Sequence, residues 1–402
     1  MIPVLFLQSN AEARPYERRK GHMEQTQNLT RIEEQLFDRA TQALRPMGGT
    51  LELLPLCNMN CDMCYVRLSR EELERQGRLR TADEWLALAR EMKKEGVLFL
   101  LLTGGEPLLY PDFRRLWLGL QELGMILSLN TNGTLLDEDT AAFLGAHKPR
   151  RVNITLYGCD DGAYERLCHY PGGFKKTMRG IRLLQAQGVD IRMTCTVSRE
   201  NRDDLDRVIA IGKELGVHMT VDTYLDPAQR ERPLPFDQQT RLPPEEAGRL
   251  RARFWKLFYD REKYRAMAEE MVWRATHTPP GEAVPGKVRC RAGRSSFVIN
   301  WQGRMIPCLI QDHLSANAFE QGFAAAWQQI TRGTQEIRTS PRCSACRLRT
   351  VCTACCARAW QETGAFDGTP EYLCRYTTGM IQAMAEDLEE MGVIKRVPAP
   401  SN

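Results

Sequence analysis

The sequence has no apolar run that approaches a membrane span and almost no excess of charge of either sign. A transmembrane helix needs about 20 consecutive apolar residues, and no segment of the 402 residues comes near that length. The opening MIPVLFLQSNAEARPYERRK has its apolar residues before its basic ones, the reverse of a signal peptide. Lys and Arg number 55 against 51 Asp and Glu, so charge does not indicate nucleic acid or an anionic membrane. We therefore expect a cytoplasmic protein with no nucleic-acid partner and no membrane partner.

Histidine is scarce, with 6 residues, whereas cysteine is abundant, with 14. Because thiols stay reduced in the cytoplasm, metal binding or catalysis is a stronger interpretation than a disulfide framework. Three cysteines fall in CNMNCDMCY (57–65), and eight lie between Cys290 and Cys374. The others are interpreted as small buried apolar residues to which no chemistry is assigned: Cys159, Cys168 and Cys195.

Apolar runs alternate with amphipathic segments through the first 225 residues. LELLPL (51–56) reads as a strand, and TADEWLALAREMKKEG has helical spacing with Thr and acidic residues at its start and Gly at its end. Six strands separated by helices imply parallel pairing with right-handed crossovers. The further strands are predicted at 97–103, 125–131, 151–158, 189–197 and 217–225.

Polar motifs follow successive strands of this pattern. Cys57 follows the first strand, Gly104 and Gly105 the second, and Asn130 and Asn132 the third. In barrels the C-terminal ends of the strands build one active site. The placement favours an α/β fold, a partial (β/α)6 TIM-like barrel, over an open doubly wound sheet, although periodicity alone does not separate the two.

Three segments are predicted from composition. Residues 1–47 form an N-terminal extension that is partly helical, and 48–279 form the barrel core with a Pro-rich loop at 226–245. A long helical stretch follows that loop, to about Thr276. Residues 280–402 form a cysteine-rich iron–sulfur domain with a C-terminal helix, a region whose modest apolar content would benefit from metal ligation.

Three thiolates at short spacing bind zinc or an iron–sulfur cluster, and the spacing alone does not say which. Structural zinc sites are usually closed by a fourth Cys or a His, but the nearest histidine in sequence to Cys57–Cys64 is His22. Three cysteines at the mouth of a barrel instead leave one iron of a 4Fe–4S cluster open to an external molecule.

The spacing of Cys57, Cys61 and Cys64 resembles that of the radical S-adenosylmethionine (SAM) superfamily, with Met63 where the family signature has an aromatic residue. The resemblance implies that these cysteines hold a 4Fe–4S cluster and serve catalysis. The open iron would bind the amino and carboxylate groups of SAM. An electron from the cluster would then cleave SAM to a 5′-deoxyadenosyl radical, the cofactors supplying the chemistry and the protein the orientation.

TGGEP (103–107) follows the second strand as the glycine-rich motif of that superfamily does. The resemblance implies that backbone at this motif approaches the SAM amino group, as glycines permit, with charge added by the carboxylate. NTNG (130–133) and the Ser198–Asn201 segment lie where the family contacts ribose and methionine. A strand-end turn or a helix cap remains an alternative for both segments. The candidate cofactor-binding residues are Gly104, Gly105, Glu106, Pro107, Asn130, Ser198 and Asn201.

The order of the C-terminal cysteines resembles the SPASM extension of radical SAM enzymes, which carries auxiliary 4Fe–4S clusters. A pair of structural zinc knuckles is the alternative. By the resemblance, one cluster is closed by Cys343, Cys346, Cys352 and Cys374, and a second is held by Cys290, Cys308 and Cys356. The second group lacks a fourth cysteine, since the segment RAGRSSF after Cys290 contains none. The fourth ligand is then either Cys355, or it is absent and one iron of this cluster is open.

The resemblance implies three 4Fe–4S clusters, SAM, and a peptide or protein substrate, above all a ribosomally synthesised peptide that receives a thioether or C–C crosslink or a related modification. Anaerobic sulfatase-maturating enzymes are an alternative, but they have Asp directly after the cysteine equivalent to Cys308, where this chain has Leu309 and only later Asp312. A non-catalytic metal-binding scaffold is the alternative of another class.

The resemblance also implies partners. An external electron donor such as flavodoxin or ferredoxin would reduce the clusters. Only about fifty residues precede the first predicted strand, too few for the winged-helix module that grips leader peptides in many relatives. Leader recognition is therefore expected to need either another surface of this chain or a separate protein that binds the leader peptide.

Overall fold

The computed structural model describes residues 24–227, 231–233 and 240–394. His22, the start of the predicted N-terminal extension, part of the predicted Pro-rich loop and the last eight residues lie outside them. Contacts between residues divide the chain into two units. One holds the residues up to Arg39, Pro243–Gly286 and the residues from Arg338 onward, and the other holds Ala40–Leu242 and Lys287–Ile337. The domain boundaries predicted at residues 47 and 279 stay a prediction. The division into two units follows contacts between residues and does not test those boundaries.

A single nine-stranded sheet forms the frame of the second unit. Its six parallel strands lie side by side in chain order, each joined to the next through an intervening helical segment, which confirms the predicted α/β class and partial (β/α)6 barrel. They are β1 (Gly48–Glu52), β2 (Phe99–Thr103), β3 (Ile126–Thr131), β4 (Arg151–Thr155), β5 (Ile191–Thr196) and β6 (His218–Asp222).

The cysteine-rich segment extends this sheet beyond β1. After β7 (Gly286–Lys287), strand β8 (Ser296–Ile299) pairs in parallel with β1. β9 (Arg304–Ile306) and β10 (Ala316–Asn317) continue the sheet with antiparallel pairing, and β11 (Arg338–Thr339) is the last strand in the described residues.

β1 begins three residues before the predicted LELLPL run, at the two glycines Gly48 and Gly49. The sequence gives no strand signal there because glycine is depleted in strands. The structure supplies the reason for Gly49: a Cβ atom at this position would lie 2.3 Å from the Phe297 ring of the neighbouring strand. Glycine is therefore needed at position 49 because β8 lies so close. The same glycine makes β1 hard to recognise from the sequence.

Helices connect the strands and make up most of the first unit. α9 and α15 pack against each other there, and Gly248 permits the contact, since a Cβ atom would lie 2.1 Å from the Tyr376 carbonyl oxygen. In the described residues the helices are α1 (Glu24–Ala43), α2 (Arg70–Gln76), α3 (Ala82–Lys94), α4 (Phe113–Glu122), α5 (Glu138–Ala146), α6 (Asp161–Cys168), α7 (Gly173–Ala186), α8 (Leu205–Glu214), α9 (Pro244–Phe258), α10 (Arg261–His277), α11 (Ala318–Gln321), α12 (Phe323–Glu336), α13 (Pro341–Ala345), α14 (Cys356–Thr363) and α15 (Glu371–Glu390).

The helical stretch predicted to run from Pro244 to about Thr276 is two helices, α9 and α10. Tyr259 is extended, with φ −84° and ψ 159°, and Asp260 starts the second helix by accepting a hydrogen bond from the Lys263 amide. An Asp within a polar stretch does not by itself identify the start of a helix. The break between α9 and α10 could therefore not be recognised from the sequence. No helix in the described residues is long and apolar enough to cross a membrane.

The strands of the barrel alternate between two kinds of side chain. One face of β2–β6 is fully buried and apolar, as expected where helices cover a parallel sheet: Leu100, Leu102, Leu127, Leu129, Val152, Ile154, Met193, Met219 and Val221. The residues between them are only partly buried and mostly polar. This polar face carries side chains toward the ends of the strands, where the cysteine loop lies.

The N-terminus of α3 offers a test of the local structure. Thr81 accepts a hydrogen bond from the Glu84 amide at 3.2 Å, and the Glu84 carboxylate accepts one from the Thr81 amide at 2.8 Å. We expect Thr81→Ala to lower the free energy of unfolding by about 1 kcal/mol, measured by urea unfolding of reconstituted protein. Asp112→Ala is the matched control, because Asp112 precedes α4 without a side-chain capping bond. Equal losses in both variants would contradict the capping explanation.

Candidate active site

The three cysteines of the first motif lie in a loop that continues β1. Beyond the strand, the chain stays paired with the segment after β2: the Leu53 amide donates to the Thr103 carbonyl at 2.9 Å. The Gly105 amide then donates to Leu54 at 2.8 Å, and the Glu106 amide to Leu56 at 2.9 Å. TGGEP and the residues leading into Cys57 therefore run side by side.

The two glycines of TGGEP are required by this pairing. Gly104 has φ +145°, a conformation that other residues rarely adopt, and its Cβ atom would lie 2.4 Å from the Leu54 carbonyl oxygen. A Cβ atom at Gly105 would lie 2.2 Å from the Leu56 carbonyl oxygen. The sequence predicted that these glycines let backbone approach SAM. The structure adds that they let the second motif approach the first.

The thiols of the first motif are close enough to affect one another electrostatically. Burial raises the pKa of Cys57 to about 12, and the neighbouring Cys61 and Cys64 raise it further. Backbone amides donate to two of the sulfurs, Met59 to Cys57 at 3.4 Å and Arg67 to Cys64 at 3.3 Å. Buried thiols that accept amide hydrogen bonds are suited to remain as thiolates on iron, since hydrogen bonds to sulfur are a feature of iron–sulfur sites. The donor set therefore fits a cluster.

In the described part of the chain, no three His, Cys, Asp or Glu side chains are grouped closely enough to hold a single metal ion. A 4Fe–4S cluster does not need such a grouping, because its cysteine ligands bind different iron atoms. The sulfurs around a cluster stand farther apart than those around one zinc ion.

Cys61 has a different environment from the other two. The pKa of its thiol is raised well above the ordinary value, first by a hydrogen bond shared with the Cys168 thiol and then by burial, while the Tyr157 hydroxyl opposes the shift. Cys168 ends α6, and its carbonyl accepts a hydrogen bond from the Asn60 amide at 3.0 Å. Cys168 is fully buried, as its interpretation as a small buried apolar residue expects.

Glu106 is fully buried and connects the second strand to the third. Its carboxylate accepts hydrogen bonds from the Thr131 hydroxyl at 2.8 Å, the Asn132 amide at 2.8 Å and the Leu108 amide at 3.1 Å. Burial raises its pKa to about 7, against the effect of these donors. Glu106 also lies near enough to Cys57 to raise the pKa of that thiol. Its carboxyl group is therefore held in place beside the first cysteine.

Asn132 links this carboxylate to the cysteine loop. Its side-chain amide donates to Asn58 at 2.9 Å and lies 3.7 Å from the Cys57 sulfur, and its side-chain oxygen accepts from the Thr134 amide at 3.0 Å. Asn58 in turn donates to the Thr134 hydroxyl at 2.9 Å. The sequence noted Asn132 only as a residue after the third strand and did not include it among the candidate ligands. Its backbone and side chain hold two motifs together.

The other candidate residues have varied surroundings. Asn130 accepts a hydrogen bond from Asn153 on the next strand at 2.7 Å. Asn201 accepts from the Ser198 amide at 2.7 Å and donates to the Tyr157 carbonyl at 2.8 Å. Pro107 is buried at the start of a 3-10 turn. The Ser198–Asn201 contacts form the strand-end turn that the sequence left as an alternative, and contact with a cofactor stays a prediction.

The inner face of the barrel carries a polar ladder, which we define as seven side chains. Two cross-strand contacts join four of them: Asn153 donates to Asn130 at 2.7 Å, and the Thr155 and Thr194 hydroxyls are 3.2 Å apart. Strand register and alternation place the others on the same face. Each ladder residue is partly buried. The members are Thr103, Asn130, Asn153, Thr155, Thr194, Thr196 and Thr220.

Glu52 is another functional candidate that the sequence analysis missed. It is fully buried at the end of β1 and accepts a hydrogen bond from the hydroxyl of Tyr65, the residue after Cys64, at 3.2 Å. A charged residue inside an apolar run was the available signal, since buried carboxylates need a partner or a function.

Four of the C-terminal cysteines lie together in the first unit. Burial raises the pKa of Cys374 to about 12, and Cys352, Cys343 and Cys346 raise it further. The Leu348 amide donates to the Cys346 sulfur at 3.3 Å, and the Thr377 hydroxyl to Cys352 at 3.5 Å. α13, the 3-10 turn after it and α15 supply these residues. Their grouping fits the ligand set predicted for one auxiliary cluster.

The remaining predicted ligands fall in different units. Cys290 is exposed and Cys308 is half buried in the second unit, whereas Cys356 starts α14 in the first unit. A hydrogen bond from Cys356 lowers the pKa of Cys355 to about 6. The cluster predicted for Cys290, Cys308 and Cys356, and its fourth ligand, stay a prediction.

Two family models match this chain. The radical SAM superfamily matches residues 51–210, and the SPASM iron-sulfur cluster-binding domain matches residues 290–356. The first range contains Cys57, Cys61 and Cys64, and the second contains the C-terminal cysteines described above except Cys374. The chain belongs to the radical SAM superfamily and carries a SPASM domain. It is an enzyme whose cofactors are SAM and 4Fe–4S clusters.

Curated relatives have different activities. The AdoMet-dependent heme synthase of Methanosarcina barkeri is 26% identical over 347 residues, which cover 82% of this chain and 96% of that protein. The PqqA peptide cyclase of Ruegeria pomeroyi is 31% identical over 175 residues, which cover 42% of this chain and 45% of that protein. Sequence similarity therefore extends to more than one chemistry.

Solved structures agree in fold. Streptococcus suis SuiB bound to its precursor peptide SuiA has a TM-score of 0.61 at 16% identity, covering 91% of this chain and 84% of that one. Native anSMEcpe with bound AdoMet has a TM-score of 0.62 at 17% identity, covering 86% and 99%. At these identities the likeness is one of fold alone.

Gly105→Ala tests the pairing of the two motifs. The added Cβ atom meets a backbone oxygen next to Cys57, so the loop must shift, at a cost of about 1–3 kcal/mol. We expect 5′-deoxyadenosine formation to fall roughly tenfold or more, since 1.4 kcal/mol is a factor of ten, together with iron per chain. Gly162→Ala is the control, because its Cβ atom would meet only side-chain atoms of Arg166 and Asp160 within 3.4 Å. Full activity in Gly105→Ala would contradict the argument.

Proposed function

We propose that this enzyme cleaves SAM reductively and modifies a peptide, above all a ribosomally synthesised one, by installing a thioether or C–C crosslink or a related modification. The observation that carries the proposal is the polar ladder. Its side chains are amides and hydroxyls, which both donate and accept hydrogen bonds.

A peptide brings one donor and one acceptor with nearly every residue, and each must be paired when it enters a closed site. The ladder offers such partners along four neighbouring strands, from Asn130 on β3 to Thr220 on β6. A flat apolar macrocycle would instead need apolar walls, because polar groups left unpaired against it cost free energy. The ladder therefore favours a peptide.

We assign the SAM-binding cluster to Cys57, Cys61 and Cys64. The first auxiliary cluster is assigned to the four grouped cysteines of the first unit. The third cluster is assigned to the remaining set, Cys290, Cys308 and Cys356. When bound, the first cluster supplies the electron that cleaves SAM to methionine and a 5′-deoxyadenosyl radical, which abstracts hydrogen from the substrate.

The residues of this chain would orient SAM. Gly104 and Gly105 bring backbone next to the cysteine loop, and Glu106 holds a buried negative charge there to attract the SAM amino group. Pro107 fixes the turn after that carboxylate. Asn130 on β3 and Ser198 and Asn201 after β5 are proposed ribose and methionine contacts.

A tetrapyrrole is the second candidate substrate. The similarity to the heme synthase of Methanosarcina barkeri covers 96% of that protein, more than the similarity to the Ruegeria pomeroyi peptide cyclase does. The SPASM domain and the fold of this chain are compatible with either a peptide or a tetrapyrrole substrate. The experiment must therefore compare both.

Substrate choice can be tested directly. Reconstituted enzyme with SAM and an anaerobic reductant would be incubated either with a short Cys-rich or aromatic-rich peptide encoded beside the gene or with a haem-precursor tetrapyrrole. We expect 5′-deoxyadenosine to form only when the peptide is present. Mass spectrometry should show that the peptide has lost two hydrogen atoms, because a crosslink removes one hydrogen from each of the two atoms that it joins. Conversion of the tetrapyrrole to haem with no change in the peptide would refute the proposal.

Replacing Cys57, Cys61 and Cys64 together by Ala tests the cluster assignment. We expect 5′-deoxyadenosine to disappear, because the iron that binds SAM is lost, while auxiliary iron remains. About twelve irons per chain are expected in the unchanged protein, four for each cluster. Cys159→Ala is the control and should keep full iron. Retained SAM cleavage in the triple variant would refute the assignment, and a chain with zinc and almost no iron would indicate a scaffold.

The remaining parts of the proposal concern partners. An external donor such as flavodoxin or ferredoxin would supply the electron, and a separate protein would bind the leader peptide, in the cytoplasm. Oxidation of a protein side chain, as in sulfatase maturation, is less favoured, because Leu309 follows Cys308 where a carboxylate base would be needed.

A further inference from the structure

One row of side chains on the face of the polar ladder includes an arginine. Strand register places Asn130 of β3 opposite Asn153 of β4, and Asn153 opposite Arg192 of β5. Because side chains alternate along a strand, Arg192 lies on the same face as the ladder residue Thr194. The ladder itself consists of uncharged amides and hydroxyls. Arg192 therefore adds a positive charge to the face that we assign to the substrate.

The row connects the carboxyl end of one strand with the start of another. Asn130 is the last residue but one of β3, whereas Arg192 is the second residue of β5. Neighbouring strands lie about 4.8 Å apart, so the two residues are separated by about 10 Å across the sheet. Asn132, two residues after Asn130, donates to Asn58 in the cysteine loop. A substrate that lies across the ladder can therefore extend from the cysteine loop to Arg192.

The guanidinium group of Arg192 is not fully paired. Arg192 is partly buried, and its buried Nε atom has no hydrogen-bond partner in the described part of the chain. Burial lowers its pKa. A buried donor of a charged group costs free energy when it is left without an acceptor. An acceptor supplied by a ligand would remove this cost.

The charged neighbours of Arg192 are mostly positive. Arg151 and Arg150 lie near enough to lower its pKa, while Asp190 opposes them. Asp190 already has a partner, since its carboxylate accepts a hydrogen bond from the Arg151 Nε atom at 2.8 Å. We call Arg150, Arg151 and Arg192 the basic cluster. Because one carboxylate serves three guanidinium groups, a further anion would be stabilised there.

A carboxylate is the anion that suits this position. The planar fork of a guanidinium group matches the two oxygens of a carboxylate, and such pairs are among the strongest hydrogen bonds in proteins. A peptide can carry carboxylates on Asp, on Glu and at its C-terminus. The ladder pairs the uncharged groups of a substrate, and the basic cluster would pair a charged one.

We propose that Arg192 binds a carboxylate of the substrate, with Arg150 and Arg151 adding positive charge around it. The inference rests on the proposed function, which places the substrate on the polar ladder. It adds that the substrate is acidic in the part that lies away from the cysteine loop. Arg192 is a specificity-determining residue, because it distinguishes a carboxylate from an uncharged amide of the same shape.

The test compares two synthetic forms of the peptide encoded beside the gene, with reconstituted holoenzyme, SAM and an anaerobic reductant. One form has its natural carboxylates. In the other, every Asp and Glu is replaced by Asn and Gln, and the C-terminus is an amide. We expect kcat/KM to be about tenfold or more higher for the carboxylate form. The difference should lie mainly in KM, since a group remote from the reacting bond contributes equally to ground-state and transition-state binding.

Variants assign this preference to one residue. Arg192→Gln should lower kcat/KM for the carboxylate peptide by about the same factor and leave kcat/KM for the amidated peptide nearly unchanged. Arg192→Lys keeps the charge but not the planar fork, so its preference should be intermediate. Arg207→Gln is the control, because it removes an exposed arginine that pairs with Glu214 on α8. A variant that misfolds would lose activity on both peptides.

Equal kcat/KM for the two peptides in the unchanged enzyme would overturn the role of Arg192 and leave peptide modification standing. An unchanged preference in Arg192→Gln would also overturn it, as would an equal loss of preference in Arg207→Gln. If Arg192→Gln loses its iron, Arg192→Lys decides, and a preference equal to that of the unchanged protein would count against Arg192.

Conversion of a haem-precursor tetrapyrrole and of neither peptide would refute the proposed function. The same comparison would then use the tetrapyrrole and its methyl esters, in which the carboxylates are uncharged. A preference for the free acid that Arg192→Gln abolishes would support Arg192 as the carboxylate-binding residue for that substrate. Equal conversion of acid and ester by the unchanged enzyme would overturn the role of Arg192 as well.

Discussion

The site depends on one constraint: the chain after β1 and the chain after β2 must run side by side with no side chain between them. Main-chain hydrogen bonds extend the pairing of the two strands as far as Leu56, the residue before Cys57. Glycine alone leaves room, since Cβ atoms at Gly104 and Gly105 would lie 2.4 and 2.2 Å from carbonyl oxygens. The position of the first cysteine therefore follows from strand pairing in a sheet, which is more rigid than a free loop.

A buried carboxylate, that of Glu106, links the third strand to this pairing. An ion removed from water costs several kcal/mol unless it is well paired, and Glu106 meets this requirement with donors from Leu108, Thr131 and Asn132. Asn132 also donates to Asn58 beside Cys57. Displacing the third strand end would remove two donors from Glu106 and would break the hydrogen bond from Asn132 to Asn58, so the first, second and third strand ends are coupled through Glu106 and Asn132.

The sequence predicted what local pattern determines. Apolar runs located β2–β6 to within a few residues, and cysteine spacing located the loop and the four grouped C-terminal cysteines. It failed where distant parts of the chain meet. Gly49 conceals the start of β1 because the Phe297 ring packs there, and the Cys168 carbonyl that accepts from the Asn60 amide is more than a hundred residues away in sequence. Neither contact leaves a periodic or spaced signal, since each is created by packing between elements.

The same distinction governs the choice of substrate. The chain is similar both to an AdoMet-dependent heme synthase and to a PqqA peptide cyclase, and its cysteine and glycine motifs are assigned to SAM chemistry. These motifs do not decide between the two substrates, because both candidate reactions begin with SAM. The polar ladder lies on the partly buried face of the strands, where amides and hydroxyls can pair the donors and acceptors of a substrate. The amides and hydroxyls on β3–β6 favour a peptide substrate, and sequence identity to the heme synthase favours a tetrapyrrole. In our proposal the first observation is the stronger of the two.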